Sequence, residues 1–338
     1  MRRVLVPLSL SPNQPALGSA VHDAAGSTMG TSWSARAVLA PGAQMANSGA
    51  IAVNLQRQLD IVVAQMSHWE PDSDLSRYNS AAAGTWRHIP SAFYKVFSYA
   101  LQVAEASGGA YDPCAGALVN CWGFGARRRY DEAGFYAPAD SAIAAIRARR
   151  DRLRVQVDAA ARKILQPGGV EIDLSSVAKG YAVDQLAHSL EAQGIHHYLV
   201  EVGGELRGAG IKPDGQPWWV TLEGVPDAGE QHETAIALHG LAVATSGDYR
   251  RHYQHQGARA SHTLDPRTGY PINNNVASVT VLHPECMAAD ALSTALCALG
   301  PEAGVRFAEE HQLPARFLLR GPDGLREVST TAFKAMLQ

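Results

Sequence analysis

The predicted strands of this 338-residue chain are joined mainly by short turns, and its helices do not alternate regularly with them. Residues 29–39 alternate apolar and polar side chains, which is the period of a half-buried strand. Two long helical patterns follow at about residues 50–68 and 91–106, and the second stops at the Gly108–Gly109 pair. The PDG sequence at 322–324 is typical of a hairpin turn. This order favours an α+β fold, with mixed or antiparallel sheets packed with helices, over a doubly wound sheet.

The remaining segments continue this mixture of helices and strands. A helix is predicted near residues 140–149, and another begins at Ser175 or Ser176 and ends before Gly194. Residues 152–175 indicate two short strands around a QPGG turn, the second with the sequence VEIDL. Further strands are predicted where the chain reads HYLVEVGG (197–204), WWVTLEG (218–224), TAIALHGLAVAT (234–245) and VASVTVLH (276–283).

The composition excludes several classes of protein. The 29 Lys and Arg residues against 32 Asp and Glu residues give a net charge of −3, so nucleic acid is not expected as a partner. Apolar residues make up 46% of the chain and charged residues 18%, which is too apolar for a disordered protein. The four cysteines lack the close pairing of a zinc or redox motif, so we expect small buried side chains at Cys114, Cys121, Cys286 and Cys297.

The first residues offer a short apolar stretch after two arginines, and Pro7 interrupts it. It is short for the core of a signal peptide and far short of a transmembrane segment. A cytoplasmic protein is therefore predicted, with export of a longer precursor as the alternative. Residues 1–27 are expected to form an N-terminal extension, ordered or disordered, and residues 28–338 a compact domain of one or two lobes.

The segment at 287–299, MAADALSTALCAL, predicts a helix with two chemically different faces. Its leucines fall on one face, whereas Asp290, Ser293 and Thr294 fall on the opposite one. A carboxylate and two hydroxyls one turn apart suit a hard cation such as Mg²⁺. The alternative is an amphipathic helix whose polar face lies in water.

The segment IDLSSVAKGYAVDQL predicts a strand that ends at Asp173 and turns through Ser175 and Ser176 into a helix. The first amides of that helix, with Lys179 nearby, form a site suited to an anion such as phosphate. The spacing of a P-loop is absent, and VGGELRGAG at 202–210 is not a dinucleotide fingerprint. A well-capped structural helix followed by turn glycines is the alternative interpretation.

Three histidines occur in the segment 244–272, where an Asp-Pro-x-x-Gly turn follows His262. An imidazole in that position is a candidate general base, because its ordinary pKa lies near neutrality. His252 and His255 are expected to be solvated or core side chains. The spacing typical of zinc sites is absent from the sequence.

The order of these motifs resembles one known family, the FAD:protein FMN transferases, once labelled a thiamine biosynthesis lipoprotein. The resemblance covers about residues 28–300. The segments that carry it are MGT (29–31), PDSDLSRYN (71–79), SGGAYDPCAGALVNCWGFG (107–125), IDLSSVAKGYAVDQL (172–186), VEVGGELRGAG (200–210), ATSGDY (244–249), SHTLDPRTGYPI (261–272) and CMAADALSTAL (286–296).

The resemblance implies a flavin transferase (T-fold-like) architecture and a magnesium-dependent enzyme that uses FAD as substrate. Such an enzyme transfers the FMN half of FAD to a Thr or Ser hydroxyl of another protein, an acceptor flavoprotein or a flavinylated redox subunit, and releases AMP. Some members instead hydrolyse FAD to FMN and AMP. The alternatives for this chain are therefore an FAD pyrophosphatase or a flavin-binding protein without turnover.

The resemblance also implies roles for individual residues. The metal ligands would be Asp290, Ser293, Thr294 and the main-chain carbonyl of Ala178, and His262 would be the base for the acceptor hydroxyl. Many relatives have Tyr at the position of Trp69, and an aromatic ring is kept there. The positions matching FAD contacts are Met29, Trp69, Ala110, Tyr111, Asp112, Ser175, Tyr181 and the main chain at Leu264, beside the Lys179 proposed above.

Overall fold

A computed structural model describes residues 3–9, 13–42, 44–127, 129–152, 154–222, 224–225, 234–249, 251–255 and 257–337. The helices are α1 (Gln44–Met66), α2 (Asp74–Asn79), α3 (Ser91–Ala106), α4 (Gly116–Cys121), α5 (Asp140–Arg152), α6 (Ala178–Glu191), α7 (Cys286–Glu310) and α8 (Thr331–Lys334). Within these described residues, no helix combines the length and the apolar character needed to cross a membrane.

The strands follow the chain in the same order. They are β1 (Arg3–Leu5), β2 (Ala20–Thr28), β3 (Thr31–Leu39), β4 (Thr85–His88), β5 (Gln156–Asp158), β6 (Lys163–Gln166), β7 (Tyr198–Val202), β8 (Glu205–Ala209), β9 (Trp218–Thr221), β10 (Thr234–Leu238), β11 (Leu241–Gly247), β12 (His252–His255), β13 (Ala258–Ser261), β14 (Leu264–Asp265), β15 (Tyr270–Pro271), β16 (Val276–His283), β17 (Ala315–Gly321) and β18 (Gly324–Ser329).

The main sheet has eight strands in the order β18-β17-β16-β11-β8-β7-β3-β2, and every neighbouring pair is antiparallel. A two-residue turn joins β2 to β3, with φ values of 50° at Met29 and 71° at Gly30. Positive φ at both positions is typical of the type I′ hairpin, whose twist matches that of paired strands. The predicted α+β class is confirmed.

The two faces of the main sheet are covered by different layers. Helices α1, α3, α6 and α7 enclose the larger core on one face, with fully buried side chains such as Leu55, Leu59, Phe93, Phe97, Leu186 and Leu296. On the other face, the small sheet β1-β10-β9 and α8 pack against Val243 and Leu282 of the main sheet. Because both faces are covered, β16 is buried along almost its whole length.

The expected boundary between residues 27 and 28 falls inside β2. Residues 20–27 belong to the main sheet rather than to a separate extension, since β2 pairs with β3 along its whole length. Small and polar residues dominate β2, so its sequence AVHDAAGST has little hydrophobic contrast. Residues 3–5 form β1, in which Leu5 is fully buried. Residues 1–2 and 10–12 lie outside the described residues.

One local prediction is wrong. The VEIDL segment is not a strand, since only an isolated bridge joins Glu171 to Ala115. In the glycine-rich segment at 202–210, Gly203 and Gly204 are turn glycines with positive φ, as the alternative interpretation expected, and β8 follows them. A Cβ atom at Gly208 would lie 2.7 Å from Leu238 Cβ, so glycine here allows close strand packing.

Helices α6 and α7 are held together by one close backbone approach and three hydrogen bonds. Gly180 lies so close to α7 that an added Cβ would be 2.3 Å from the Cys286 carbonyl oxygen. The Gly180 amide donates to Asp290 Oδ2 at 2.9 Å. Asp184 of α6 accepts hydrogen bonds from the first amides of α7, at Cys286 (3.0 Å) and Met287 (2.9 Å). The two helices are therefore fixed at short separation.

We predict that Gly180→Ala lowers the free energy of unfolding by about 1–3 kcal/mol, because the methyl group forces two backbones apart. The matched control is Gly49→Ala in α1, where a new Cβ meets nothing within 4 Å. That change should raise the free energy of unfolding by up to about 1 kcal/mol, from helix propensity alone. Chemical denaturation of both variants tests this, and equal stabilisation by the two alanines would contradict the packing described for α6 and α7.

Candidate functional site

A cleft of about 430 Å³ opens at one end of the main sheet. It lies between the β2–β3 turn, the end of α1, the starts of α4 and α6, the end of β11, the loop before β14 and the middle of α7. Twelve of the predicted site residues line it, namely Met29, Trp69, Ala110, Tyr111, Asp112, Ser175, Ala178, Lys179, His262, Leu264, Asp290 and Thr294. Segments distant in sequence therefore converge on one cavity.

Two predicted site residues, both described by the structure, lie outside this lining. Tyr181 is buried, and its ring faces Lys95, whose Nζ is 6.0 Å from the ring centroid. Burial, followed by the charge of Asp184, raises the pKa of Tyr181 above its usual value. Ser293 is fully buried behind the cleft, where it bonds to protein groups. Neither side chain forms part of the cavity wall in this structure.

The polar face of α7 holds a cluster of oxygen atoms. Ser293 Oγ donates to the Asp290 carbonyl at 2.9 Å. Ser246 Oγ, at the end of β11, lies 2.8 Å from Ser293 Oγ and 2.9 Å from Thr294 Oγ1. Asp290 is only 4% exposed, so the alternative of a polar face in water is wrong. The face is buried because α6 and β11 both pack against α7.

Ser246 is a cleft residue that the sequence analysis did not select. It lies in the ATSGDY segment, which contributed to the family resemblance. The local pattern contains no charge or metal-ligand spacing at this position. Its significance comes from the antiparallel pairing of β11 with β16 and from the packing of α7 on β11, which place it beside Ser293 and Thr294.

The residues in this corner of the cleft fit a hard cation. Among the described residues, no three His, Cys, Asp or Glu side chains form a group that could hold a metal. The candidate donors are instead one carboxylate, Asp290, with the Thr294 hydroxyl and the main chain at Ala178, all lining the same cavity. Mg²⁺ accepts such oxygen ligands and completes its coordination with water or phosphate. Because Gly180 has no Cβ, the Asp290 side chain can lie close to the main chain of α6.

The start of α6 carries the features of an anion site. Its N-cap residue is Val177, whose side chain makes no capping hydrogen bond, but the Gly180 amide of the first turn donates to Asp290 Oδ2 at 2.9 Å. A side chain therefore caps this helix start, as the alternative interpretation expected, although it comes from α7. Lys179 Nζ lies 2.6 Å from Oε1 of Glu205, a carboxylate that is almost completely buried. Asp173 accepts from the Ser175 amide at 2.8 Å, which shapes the turn into the helix.

The segment containing Ala110, Tyr111 and Asp112 forms another wall. Tyr111 is buried, and its phenol oxygen accepts from Ser176 Oγ at 3.1 Å. Burial raises the pKa of Tyr111 far above its usual value, with neighbouring carboxylates adding to the shift and the Ser176 hydrogen bond opposing it. The phenol is therefore neutral at physiological pH. Asp112 accepts from the Cys114 amide at 2.8 Å, and Arg150 Nε lies 3.5 Å from it.

An exposed aromatic residue stands at the rim beside this wall. Trp69 is 45% exposed, and its ring centroid lies 5.2 Å from that of His68. His68 Nδ1 is 3.7 Å from Asp173 Oδ1, so the pair connects the rim to the turn before α6. Sequence reasoning did not select His68, because a single histidine before a loop carries no pattern. Met29 lies on the same cleft, at the tip of the β2–β3 turn.

His262 lies between β13 and β14 on the cleft. Its amide and its Nδ1 both lie 3.1 Å from the Arg251 carbonyl oxygen. A carbonyl can only accept, so Nδ1 carries the hydrogen and Nε2 is the acceptor nitrogen. The ring of Phe124 packs edge-on at 6.3 Å. His252 and His255, predicted to be structural, lie on β12 outside the cleft lining.

Comparisons with known proteins agree with one another. The sequence matches the ApbE family over residues 29–317. It is 38% identical to the FAD:protein FMN transferase of Vibrio cholerae, with 92% of this chain and 91% of that protein aligned. The solved structure of the flavin transferase ApbE from Vibrio cholerae superposes with a TM-score of 0.85 at 35% identity, covering 94% of this chain and 99% of that one.

A second solved structure gives the same result. The apo form of the flavinyl transferase ApbE from Pseudomonas stutzeri also has a TM-score of 0.85, at 33% identity, with 96% of this chain and 98% of that one covered. The family match spans most of the sequence, and both likenesses extend over nearly the whole fold. The chain therefore belongs to the ApbE family.

Proposed function

We propose that this protein transfers the FMN half of FAD to a Thr or Ser hydroxyl of an acceptor protein and releases AMP. The observation that carries the proposal is the convergence of three chemical groups on one cleft. These are the His262 imidazole, the start of α6 with Lys179, and the oxygen donors Asp290 and Thr294. The names of the relatives, FAD:protein FMN transferase, support the same activity.

The transfer forms a bond between the acceptor oxygen and the phosphorus of FMN, and it breaks the bond between that phosphorus and the oxygen that leaves with AMP. Held by Asp290, Thr294 and the Ala178 carbonyl, Mg²⁺ would supply positive charge to the phosphates. The geometry does not favour Ser293 as a ligand, because its side chain is fully buried and its hydroxyl is bonded to Ser246 Oγ and to the Asp290 carbonyl.

The start of α6 provides the second contribution. The positive end of the helix dipole favours a phosphate group there, although the Ala178 and Gly180 amides already donate to the Leu174 carbonyl and to Asp290. Lys179 adds a cation whose position is restrained by the buried Glu205 carboxylate. These groups would orient one phosphate so that the acceptor hydroxyl attacks in line with the leaving AMP.

His262 provides the base. With its hydrogen on Nδ1 held by the Arg251 carbonyl, its Nε2 lone pair can accept the proton of the incoming hydroxyl. Phe124 packs against the ring and limits its rotation. The imidazole is therefore presented in one tautomer and one orientation before the acceptor arrives.

The flavin ring would lie against the rim formed by Met29 and Trp69. A flat, largely apolar ring gains most from an exposed indole face and an adjacent unbranched thioether. Trp69 is nearly half exposed, so it has surface available for such a contact. The acceptor protein would approach over the same opening.

The cytoplasmic location of this protein stays a prediction, with export of a longer precursor as the alternative.

The direct test is incubation of the protein with FAD, Mg²⁺ and candidate acceptor domains, followed by mass spectrometry. A covalently flavinylated acceptor and stoichiometric AMP are the expected products. FMN and AMP without flavinylated protein would identify an FAD pyrophosphatase. FAD that remains intact under all conditions would indicate a flavin-binding protein without turnover.

We predict that Asp290→Asn reduces FMN transfer by about 100- to 1,000-fold, because it removes the negative charge from the cation site. The asparagine oxygen can still accept the Gly180 hydrogen bond, so the fold should be retained. Transfer rates at several Mg²⁺ concentrations, with circular dichroism as the control for folding, check this. Wild-type transfer and magnesium dependence in the variant would exclude Asp290 as a ligand.

We predict that His262→Ala slows FMN transfer by about 100- to 10,000-fold while FAD affinity changes little, since a base acts on the acceptor proton. His255→Ala is the matched control, because this histidine lies on the neighbouring hairpin outside the cleft lining. Single-turnover rates and FAD titrations separate the two effects. A variant with weak FAD binding and an unchanged rate at saturation would identify His262 as a binding residue instead.

We predict that Trp69→Ala weakens FAD binding by about tenfold and removes most of the tryptophan quenching that FAD produces. The matched control is Trp86→Ala in β4, because Trp86 is equally exposed at 44% but lies outside the cleft lining. Fluorescence titration of the three proteins decides the point. If both variants quench and bind as the wild type does, the flavin lies elsewhere.

A further inference from the structure

Three hydroxyl groups and one carbonyl form a continuous hydrogen-bonded chain behind the cation corner of the cleft. Thr294 Oγ1 lies 2.9 Å from Ser246 Oγ, which lies 2.8 Å from Ser293 Oγ. Ser293 Oγ in turn lies 2.9 Å from the main-chain oxygen of Asp290. Ser293 is fully buried, whereas Thr294 and Ser246 line the cavity. The chain thus runs from the cavity into the protein interior.

The donor in each hydrogen bond of this chain can be assigned by starting from the Asp290 carbonyl oxygen. The Asp290 carbonyl can only accept, so Ser293 must donate to it. A hydroxyl has one proton, and Ser293 therefore accepts in its contact with Ser246. Ser246 has then used its own proton and must accept from Thr294. The Thr294 proton consequently points toward Ser246.

This direction determines what Thr294 offers to the cavity. A hydroxyl that coordinates a cation presents an oxygen lone pair, and its proton must point elsewhere. With the proton directed to Ser246, the Thr294 oxygen retains lone pairs for a ligand on its cavity side. We propose that Ser246 is a positioning residue that orients the Thr294 hydroxyl for a divalent cation, with Ser293 as the next member of the relay. This inference rests on the proposed magnesium-dependent function.

Ser246 is itself held firmly enough for this role. Its strand, β11, pairs with β16 in the centre of the main sheet, where Ser246 lies opposite Val279. The Cys297 thiol of α7 donates to the Ser246 carbonyl oxygen at 3.4 Å. A thiol of α7 therefore also contacts the main chain of β11, in addition to the hydroxyl groups of the relay. Ser293 gains a role different from the direct ligation that its place in the motif implied.

The test compares Mg²⁺ binding in four proteins. Mg²⁺ is titrated calorimetrically into the FAD-loaded protein without acceptor, and the thermal unfolding midpoint is measured without metal. For Ser246→Ala we expect the Mg²⁺ dissociation constant to rise about 10- to 100-fold, as for other residues that orient metal ligands, with little change in the metal-free midpoint. Ser246→Thr, which keeps the hydroxyl, should restore most of the affinity.

The matched control is Thr280→Val. It removes a hydroxyl from the Thr245–Thr280 pair, 2.9 Å apart on the same two strands, and leaves the relay intact. Its Mg²⁺ affinity should equal that of the wild type. Should Ser246→Ala fail to fold, Ser293→Ala replaces it, because that change breaks the relay without altering the cavity lining; its Mg²⁺ affinity should also fall.

The possible results separate this inference from the proposed function. Wild-type protein that binds Mg²⁺ and transfers FMN, together with a Ser246→Ala variant of unchanged Mg²⁺ affinity, would overturn the relay alone. Failure of Ser246→Thr to restore affinity would also overturn it, since the hydroxyl would then not be the active feature. Absence of Mg²⁺ binding by the FAD-loaded wild type would overturn both the relay and the metal assignment.

Discussion

The hydrogen bond from the Gly180 amide to the Asp290 carboxylate joins α6 to α7 at the point where both helices reach the cleft. It forms only because residue 180 has no Cβ, which would otherwise meet the Cys286 carbonyl. The Asp184 carboxylate, itself paired with Arg207 at 2.7 Å, reinforces the contact by capping α7. The helix start proposed to bind an anion and the helix face proposed to bind a cation are thus parts of one packed unit.

Polar side chains in this unit are buried at high energetic cost unless each has a partner. The structure meets that requirement by pairing them across elements: Asp290 with Gly180, Lys179 with Glu205, and Ser246 with Thr294. Each pair brings together two segments that are far apart in the chain. The Gly180–Asp290 contact in particular both shapes the site and holds α6 against α7, because separation of the two helices would leave the buried Asp290 carboxylate without this partner.

The sequence was sufficient to predict elements with strong periodicity, such as α3 and β16. It also selected residues with distinctive side chains, such as Asp290 and His262, that the structure brings to one cleft. It was insufficient for β2, because small residues conceal its alternation, and for β8, because Gly208 serves strand packing rather than a turn. Ser246 and His68 were missed because their importance arises from tertiary neighbours. Tyr181 and Ser293 lay in the right motifs, but helix rotation directs them into the protein instead of the cleft.

The excess of acidic side chains in the cleft would couple binding of the cation to binding of the substrate. Among the described residues, its lining includes the carboxylates of Asp112, Asp173, Glu205 and Asp290 but only two permanent cations, Lys179 and Arg251. A dinucleotide brings two further negative charges in its pyrophosphate, which the carboxylates repel. In the proposed function, a divalent cation beside Asp290 would reverse this balance. Binding of cation and dinucleotide would then be mutually favourable, and thermodynamic reciprocity requires that each raise the affinity of the other by the same factor.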